Sequence, residues 1–462
     1  MTAPFMLIRL SAAVFAFAAS STFADAPYDP TFAYGAPYYF SFDSANETIA
    51  GIASDHNAHV VTTLNLSAGN KEGVTRHLAP LSPSLIIRPA GEGTVDTSFA
   101  SSGLATDFFS GGSSESRAIA VDYNNRIVVG GSAVGSISCV GGGSREITVF
   151  MLVRLLNDGS SSDGQGDWSF GNFGEAFYGD CDHPTAGLAG LAVEGHGDIV
   201  AVGTTIQESH ERATLIRWTE AGDLDTTFGT AGVANISFGA EESGGAAVAI
   251  DSNGRIVAVI QTLISGQKAG VASRYQADGT LDTSFGSDGF TQLPNLEEFG
   301  SICCVQTDSQ NRIVVAGTIT TSLTTESYRA DAFVARLTET GAFDHTFGSN
   351  GLVFPAGGAP AYAGGLAIDK HDRPVLVGSI ASLYLPYGNA ATFHLNLDGT
   401  PNSAIGSAGI YITPLGFSDT FATSVLIDQE GRPTLGIKAF DSDDRLLPVL
   451  VRYDELFGDG MD

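Results

Sequence analysis

Two histidines stand among carboxylates in this chain. His183 follows Asp180 and Asp182, and His210 lies between Glu208 and Glu211 in E-S-H-E-R. An imidazole beside a carboxylate can act as a general acid or base, or can ligate a metal. A lyase or hydrolase would therefore use His183 and His210 as bases, with Glu208 beside them. No H-E-x-x-H, G-x-S-x-G, P-loop or paired C-x-x-C motif accompanies them, so nothing selects one reaction. A second set of acids recurs just ahead of apolar, strand-like runs: Glu115, Asp180, Asp182, Glu241, Glu242, Glu297, Glu298 and Asp419. Gathered in space, they would form an acidic rim that concentrates cations, and Ca²⁺ is the ion for such oxygen-rich surroundings. Asp158, Asp163 and Asp167 share one Gly/Ser-rich loop that could also converge on Ca²⁺, although their spacing is not that of an EF-hand.

What must hold these residues is a repeat. Its clearest copy starts A-V-A-I-D-S-N-G-R-I-V-A-V at Ala247 and ends L-D-T-S-F-G-S-D-G-F at Phe290. The acid closing the first strand recurs as Asp55, Asp122, Glu194, Asp251, Asp308, Asp369 and Asp428, at intervals of 57 to 72 residues. Short β-branched and apolar runs joined by Asn-Gly and Asp-Gly turns predict antiparallel strands. Seven units of this length predict a single seven-bladed, all-β propeller with four strands per blade. In five units an arginine follows the acid by four residues, as in Asp251 and Arg255, and the pair is read as a pin for the hairpin turn. A third-strand arginine is expected at Arg88, Arg154, Arg217, Arg274, Arg336 and Arg452, with His394 as the departure. Phe99, Phe228, Phe285 and Phe347, with Ile405 substituting, are read as packing plugs between blades.

This unit, with its G-x-A-V-D-like first strand, aspartate-glycine turn and F-G, resembles the delta-60 repeat family and, more distantly, NHL-type propellers. The resemblance covers essentially the whole mature chain and implies a β-propeller without implying an activity. Departures fall in the first unit, where His59 replaces the arginine, in the third, where Glu194 and Asp198 replace acid and arginine, and in the sixth, where P-N-S-A-I-G replaces the turn. Tyr28 to Phe40 matches the turn and outer strand of the repeat, whereas the last unit stops after its third strand. The two ends are therefore expected to complete one blade and remove the open sheet edges.

Arg9, an apolar run from Leu10 to Ala19, and small Thr22 and Ala24 predict an export leader over 1–24, followed by a propeller over 25–457 and a short tail over 458–462. No later segment approaches the apolar length of a membrane helix. Twenty-two Lys and Arg against 51 Asp and Glu give a net charge of −29, which argues against nucleic acid as a partner. In an exported chain a bridge between Cys139 and Cys181 is plausible. Cys303 and Cys304 lie in an apolar strand, whose alternation would point them to opposite faces as two buried thiols. The two ends of a propeller differ in kind: hairpin turns repeat at one, while loops of unlike length and chemistry occupy the other. His56, His59, His196 and His371 belong to the hairpin-turn end. The resulting expectation is a secreted, periplasmic or cell-surface monomer that binds a protein, glycan or small molecule at the variable end and channel mouth, with Ca²⁺ as a possible cofactor. The alternatives are a propeller lyase or hydrolase, and a cell-surface structural protein without a small ligand.

Overall fold

The structure, a computed structural model, describes residues 8–9, 15–18, 38–41, 48–66, 71–77, 99–100, 104–106, 113–138, 144–158, 167–179, 185–207, 210–236, 238, 242–296, 300–324, 327–381, 388–417, 419–429, 431–441 and 445–453. Seven four-stranded antiparallel blades stand in a ring, with no helix among the described residues. Blade four is typical. Its inner strand, Ser243–Ile250, pairs with Ile256–Ile264, then Gln267–Tyr275, then the outer strand Phe290–Asn295. The second and third strands read as nearly unbroken apolar runs because each blade is covered by a neighbour on both faces. The core is accordingly divided among the blade interfaces. Val257, Val259 and Phe285 of blade four, for example, pack with Val305, Val315 and Phe333 of blade five.

The inner strands touch in sequence around the ring, from Thr48–Ser54 of blade one to Asp419–Ile427 of blade seven and back to blade one. Blade seven takes its outer strand from the other end of the chain: Tyr38 and Tyr39 pair with Leu450 and Val449. This is the expected closure. Two short strands from the expected leader, Ile8–Arg9 and Phe15–Ala18, extend the same sheet outward.

Each inner strand carries a β-bulge at a matching position, a regularity that the sequence does not announce, and that of blade three has a second between Thr185 and Gly187. Two residues of the inner strand oppose one of the second strand, which leaves Ala50, Arg117, Ala189, Ala246, Cys303, Gly364 and Thr423 as the extra residues. A bulge breaks the two-residue alternation of a strand and bends it locally. This overturns the expectation for Cys303 and Cys304, because alternation fails where the extra residue is inserted. The two sulfurs are bonded in a vicinal disulfide, not held apart as thiols, and the half-buried pair packs against the interface of blades five and six.

In five blades the arginine and the aromatic of the repeat prove to be one device. The Arg274 guanidinium lies 4.9 Å from the Phe285 ring centroid, its Nε donates to Asp282 Oδ2 at 2.7 Å, and its Nη1 donates to the Glu339 carbonyl of blade five. Arg154, Arg217 and Arg336 are placed alike over Phe170, Phe228 and Phe347. Beside this latch, the F-G glycine amide donates to the next blade, as Gly229 does to Asp278 at 2.7 Å. Gly279, the residue after that carbonyl, has φ +81°, and a Cβ there would stand 2.8 Å from the Gly229 nitrogen. The Asp-Gly turn is therefore set by the approach of two blades as well as by its own conformation. In blade one the latch arginine is Arg76, over Phe99 at 5.1 Å, which corrects the expectation of Arg88, a position outside the described residues. The sixth blade departs as expected, with buried His394 and Ile405 replacing arginine and phenylalanine. Burial, reinforced by Arg373, lowers the His394 imidazole to about 3, so it is neutral at physiological pH.

Candidate functional site

The repeated charges of the hairpin-turn end are engaged by one another. Asp251 Oδ1 accepts the amides of Asn253 and Arg255 at 2.9 Å, and Oδ2 accepts Arg255 Nε at 2.6 Å. The same pin joins Asp122 with Arg126, Asp308 with Arg312, Asp369 with Arg373, and Asp428 with Arg432. In blade one, His59 Nδ1 stands 2.6 Å from Asp55 Oδ2 and fills the arginine's place. Three of the arginines also cross to a neighbouring blade, Arg126 to Glu220 at 2.8 Å, Arg255 to Glu339 at 2.7 Å and, more loosely, Arg312 to Asp372 at 3.9 Å. These residues are scaffold.

The opposite end, at the starts of the inner strands, carries the candidate site. Glu115 is exposed on the strand Ser113–Val121, and its Oε2 lies 3.0 Å from Nη2 of Arg117, the bulge residue of blade two. Lys438, on the second strand of blade seven, senses both. Burial lowers its ammonium, Arg117 lowers it further, and Glu115 opposes them. This end of the ring thus sets an exposed acid–arginine pair of blade two within electrostatic reach of a lysine of non-adjacent blade seven, a combination that no single segment of sequence displays. Glu242 is exposed ahead of the inner strand of blade four. Asp419 is half-buried, and its Oδ1 accepts the Gly388 amide at 2.8 Å, tying blade seven to the third strand of blade six.

His210 is exposed at the start of its strand, opposite Gln207, with exposed Glu211 beside it. Asp180, Asp182, His183, Glu208, Glu241, Glu297 and Glu298 lie outside the described residues, as do Asp163, Cys139 and Cys181. Of the loop acids read as Ca²⁺ ligands, Asp158 is exposed and Asp167 is buried. Asp167 Oδ2 accepts Arg154 Nε at 2.9 Å, and Oδ1 accepts the Ser169 amide and hydroxyl. It occupies the latch position held by Asp282 in blade four, where an arginine already balances its charge.

One departure from the repeat assembles ligand-type side chains. At the hairpin turn of blade three, Glu194, His196 and Asp198 bring their ligand atoms within 4.8 Å of one another. The substitutions at 194 and 198 are visible in sequence, but their meeting with His196 depends on the turn.

Residues 252–285 match a family model described as a β-propeller domain of unknown function, DUF5122. The chain has no match among curated proteins. Among solved structures, a protein of unknown function from Dyadobacter fermentans is similar with a TM-score of 0.39 and 12% identity, over 88% of this chain and 94% of that one. The polysaccharide lyase Uly1 is similar with a TM-score of 0.43 and 11% identity, over 90% and 92%. An α-L-arabinanase from Penicillium chrysogenum is similar with a TM-score of 0.36 and 10% identity, over 72% and 91%.

Proposed function

We propose that this chain is an exported binding module whose rigid propeller presents a ligand site at the variable-loop end and channel mouth. The observation that carries this reading is the different use of charge at the two ends. Pins and latches engage the repeated acids and arginines at one end, whereas at the other exposed Glu115 and Arg117 form a pair that acts electrostatically on Lys438. A rigid ring fixes these groups without further ordering, which favours recognition of a preformed ligand. Two cations against one acid, in a chain of −29, select locally for an anionic group such as the carboxylate of an acidic glycan or peptide.

Affinity electrophoresis against neutral and uronic acid-containing polysaccharides tests the site. Retardation by an acidic polymer that weakens at least tenfold in Arg117→Ala and in Lys438→Met supports it. Retardation that both variants preserve removes the channel mouth as the site. The same assay with added Ca²⁺ examines the acidic rim: a Ca²⁺-dependent gain assigns a bridging ion, and an unchanged pattern with an unchanged melt removes that cofactor.

A further inference from the structure

We propose that the hairpin turn of blade three is a divalent transition-metal site, built by Glu194, His196 and Asp198 where other blades place an acid–arginine pin. His196 Nε2 lies 3.1 Å from Glu194 Oε2 and 2.9 Å from Asp198 Oδ2. A neutral imidazole has one N–H at most and cannot satisfy two carboxylates equally. A cation between the three groups would interact with all of them. Zn²⁺ binds such nitrogen and oxygen donors at about 2.0–2.2 Å, which in a tetrahedron spaces the donors about 3.3 Å apart, so small movements would complete the set. One imidazole with two carboxylates suits Zn²⁺ better than Ca²⁺, which takes a larger all-oxygen shell.

Charge points the same way. A pinned turn is neutral, with an aspartate against an arginine, while the blade-three turn replaces that arginine by Asp198 and leaves two carboxylates with His196 between them. Arg217 does not restore the balance by itself, because it is already held by Asp225 at 2.6 Å and approaches Glu194 Oε1 only to 3.5 Å. Glu194 is 7% exposed, and its Oε1 accepts no hydrogen bond. A buried carboxylate oxygen without a hydrogen-bond donor is costly. Asp198 is fixed differently: its Oδ1 accepts the Glu220 amide at 2.8 Å, which leaves Oδ2 toward His196. The imidazole, on a side chain 66% exposed, gives a cation access from solvent.

The test is calorimetric titration of the untagged full chain with Zn²⁺, alongside Co²⁺ absorption as a report of ligand geometry. One saturable Zn²⁺ per chain at this turn is expected, with affinity falling at least tenfold in His196→Ala, a substitution at an exposed side chain. A second variant, Glu194→Asp with Asp198→Arg, rebuilds the pin of the other blades; it should keep or raise the melt and lose the same Zn²⁺. Absence of saturable binding overturns the proposal. So does binding that survives His196→Ala, which would place the metal at another set of histidines. If the rebuilt pin fails to fold, the His196→Ala result decides alone.

Discussion

Arg274 stacks on Phe285, holds Asp282 and reaches the Glu339 carbonyl, so one side chain joins a plug, its turn and the next blade. Truncating it leaves Asp282 buried without its cation, a loss of about 3–5 kcal/mol. Urea unfolding of Arg274→Ala measures this, and a value within about 0.5 kcal/mol of the parent, the range of ordinary surface changes, would show that the latch is idle. Acid should release the same device. Burial alone would raise the Asp282 carboxyl, but the Ser284 hydroxyl and Arg274 hold it below the ordinary range. Asp167, Asp225 and Asp344 are lowered against burial in the same manner, by Ser169, Thr227 and Thr346 together with their arginines. A carboxyl lowered by folding stabilises above its unfolded value, here 3.8, and that contribution is lost as pH falls through the folded value. Melting temperatures should therefore hold steady down to about pH 4 and drop steeply below it, with a shallower drop in Asp282→Asn. The latch is legible in sequence where its spacing is regular. Arg217, Arg274 and Arg336 each precede their phenylalanine by eleven residues, and Arg88 precedes Phe99 by the same interval. The structure selects Arg76 instead, because strand pairing and not chain distance places the guanidinium over the ring. Phe170 escapes the spacing for the same reason, behind the long loop of blade two.

Strand alternation is a reliable guide to the second and third strands, whose apolar runs announce burial on both faces, and a poor one to the inner strands. There a bulge in every strand shifts the residues after it, which is why Cys303 and Cys304 are joined when alternation separates them. The bulge position also depends on its neighbour. Ala50, Ala189 and Ala246 fill it in three blades, but Gly364 fills it in blade six, where a Cβ would stand 2.0 Å from the Ala422 carbonyl oxygen of blade seven. The strand therefore needs glycine for close approach, not for an unusual φ. Gly364→Ala should cost about 1–3 kcal/mol, the range for overpacking a tight interior, while Ala246→Gly at the matching position should cost less. Differential scanning calorimetry of the pair checks this, and equal melts for Gly364→Ala and the parent would mean that the ring can open locally at little cost. The blade-three cluster illustrates the limit of reading elements from sequence. Glu194 and Asp198 stand out as departures, yet only the folded turn puts both beside His196.

At the scale of the ring, the seven acids spaced along the chain reveal the blade number, and the unmatched ends reveal the closure; the variable loops have no repeat against which to be read. Closure has a physical consequence. Without Tyr38–Ser41, the strand Leu446–Arg452 would present unpaired backbone groups at the edge of blade seven, and Val449 and Leu450, both fully buried, would lose part of their cover. A ring of seven blades also has no free end only while this strand is in place, so loosening blade seven exposes its interfaces with blades six and one together. A chain that begins at residue 42 should therefore melt several degrees lower and aggregate on heating, whereas a chain that begins at residue 25 should melt like the full-length protein. The decisive variant moves residues 25–41 behind the C-terminus through a short flexible linker. The same outer strand then reaches blade seven from the other end of the chain, and recovery of the melt would show that pairing, not the order of connection, holds the ring. A truncated chain that melts unchanged would mean that the inner-strand contacts close the propeller by themselves.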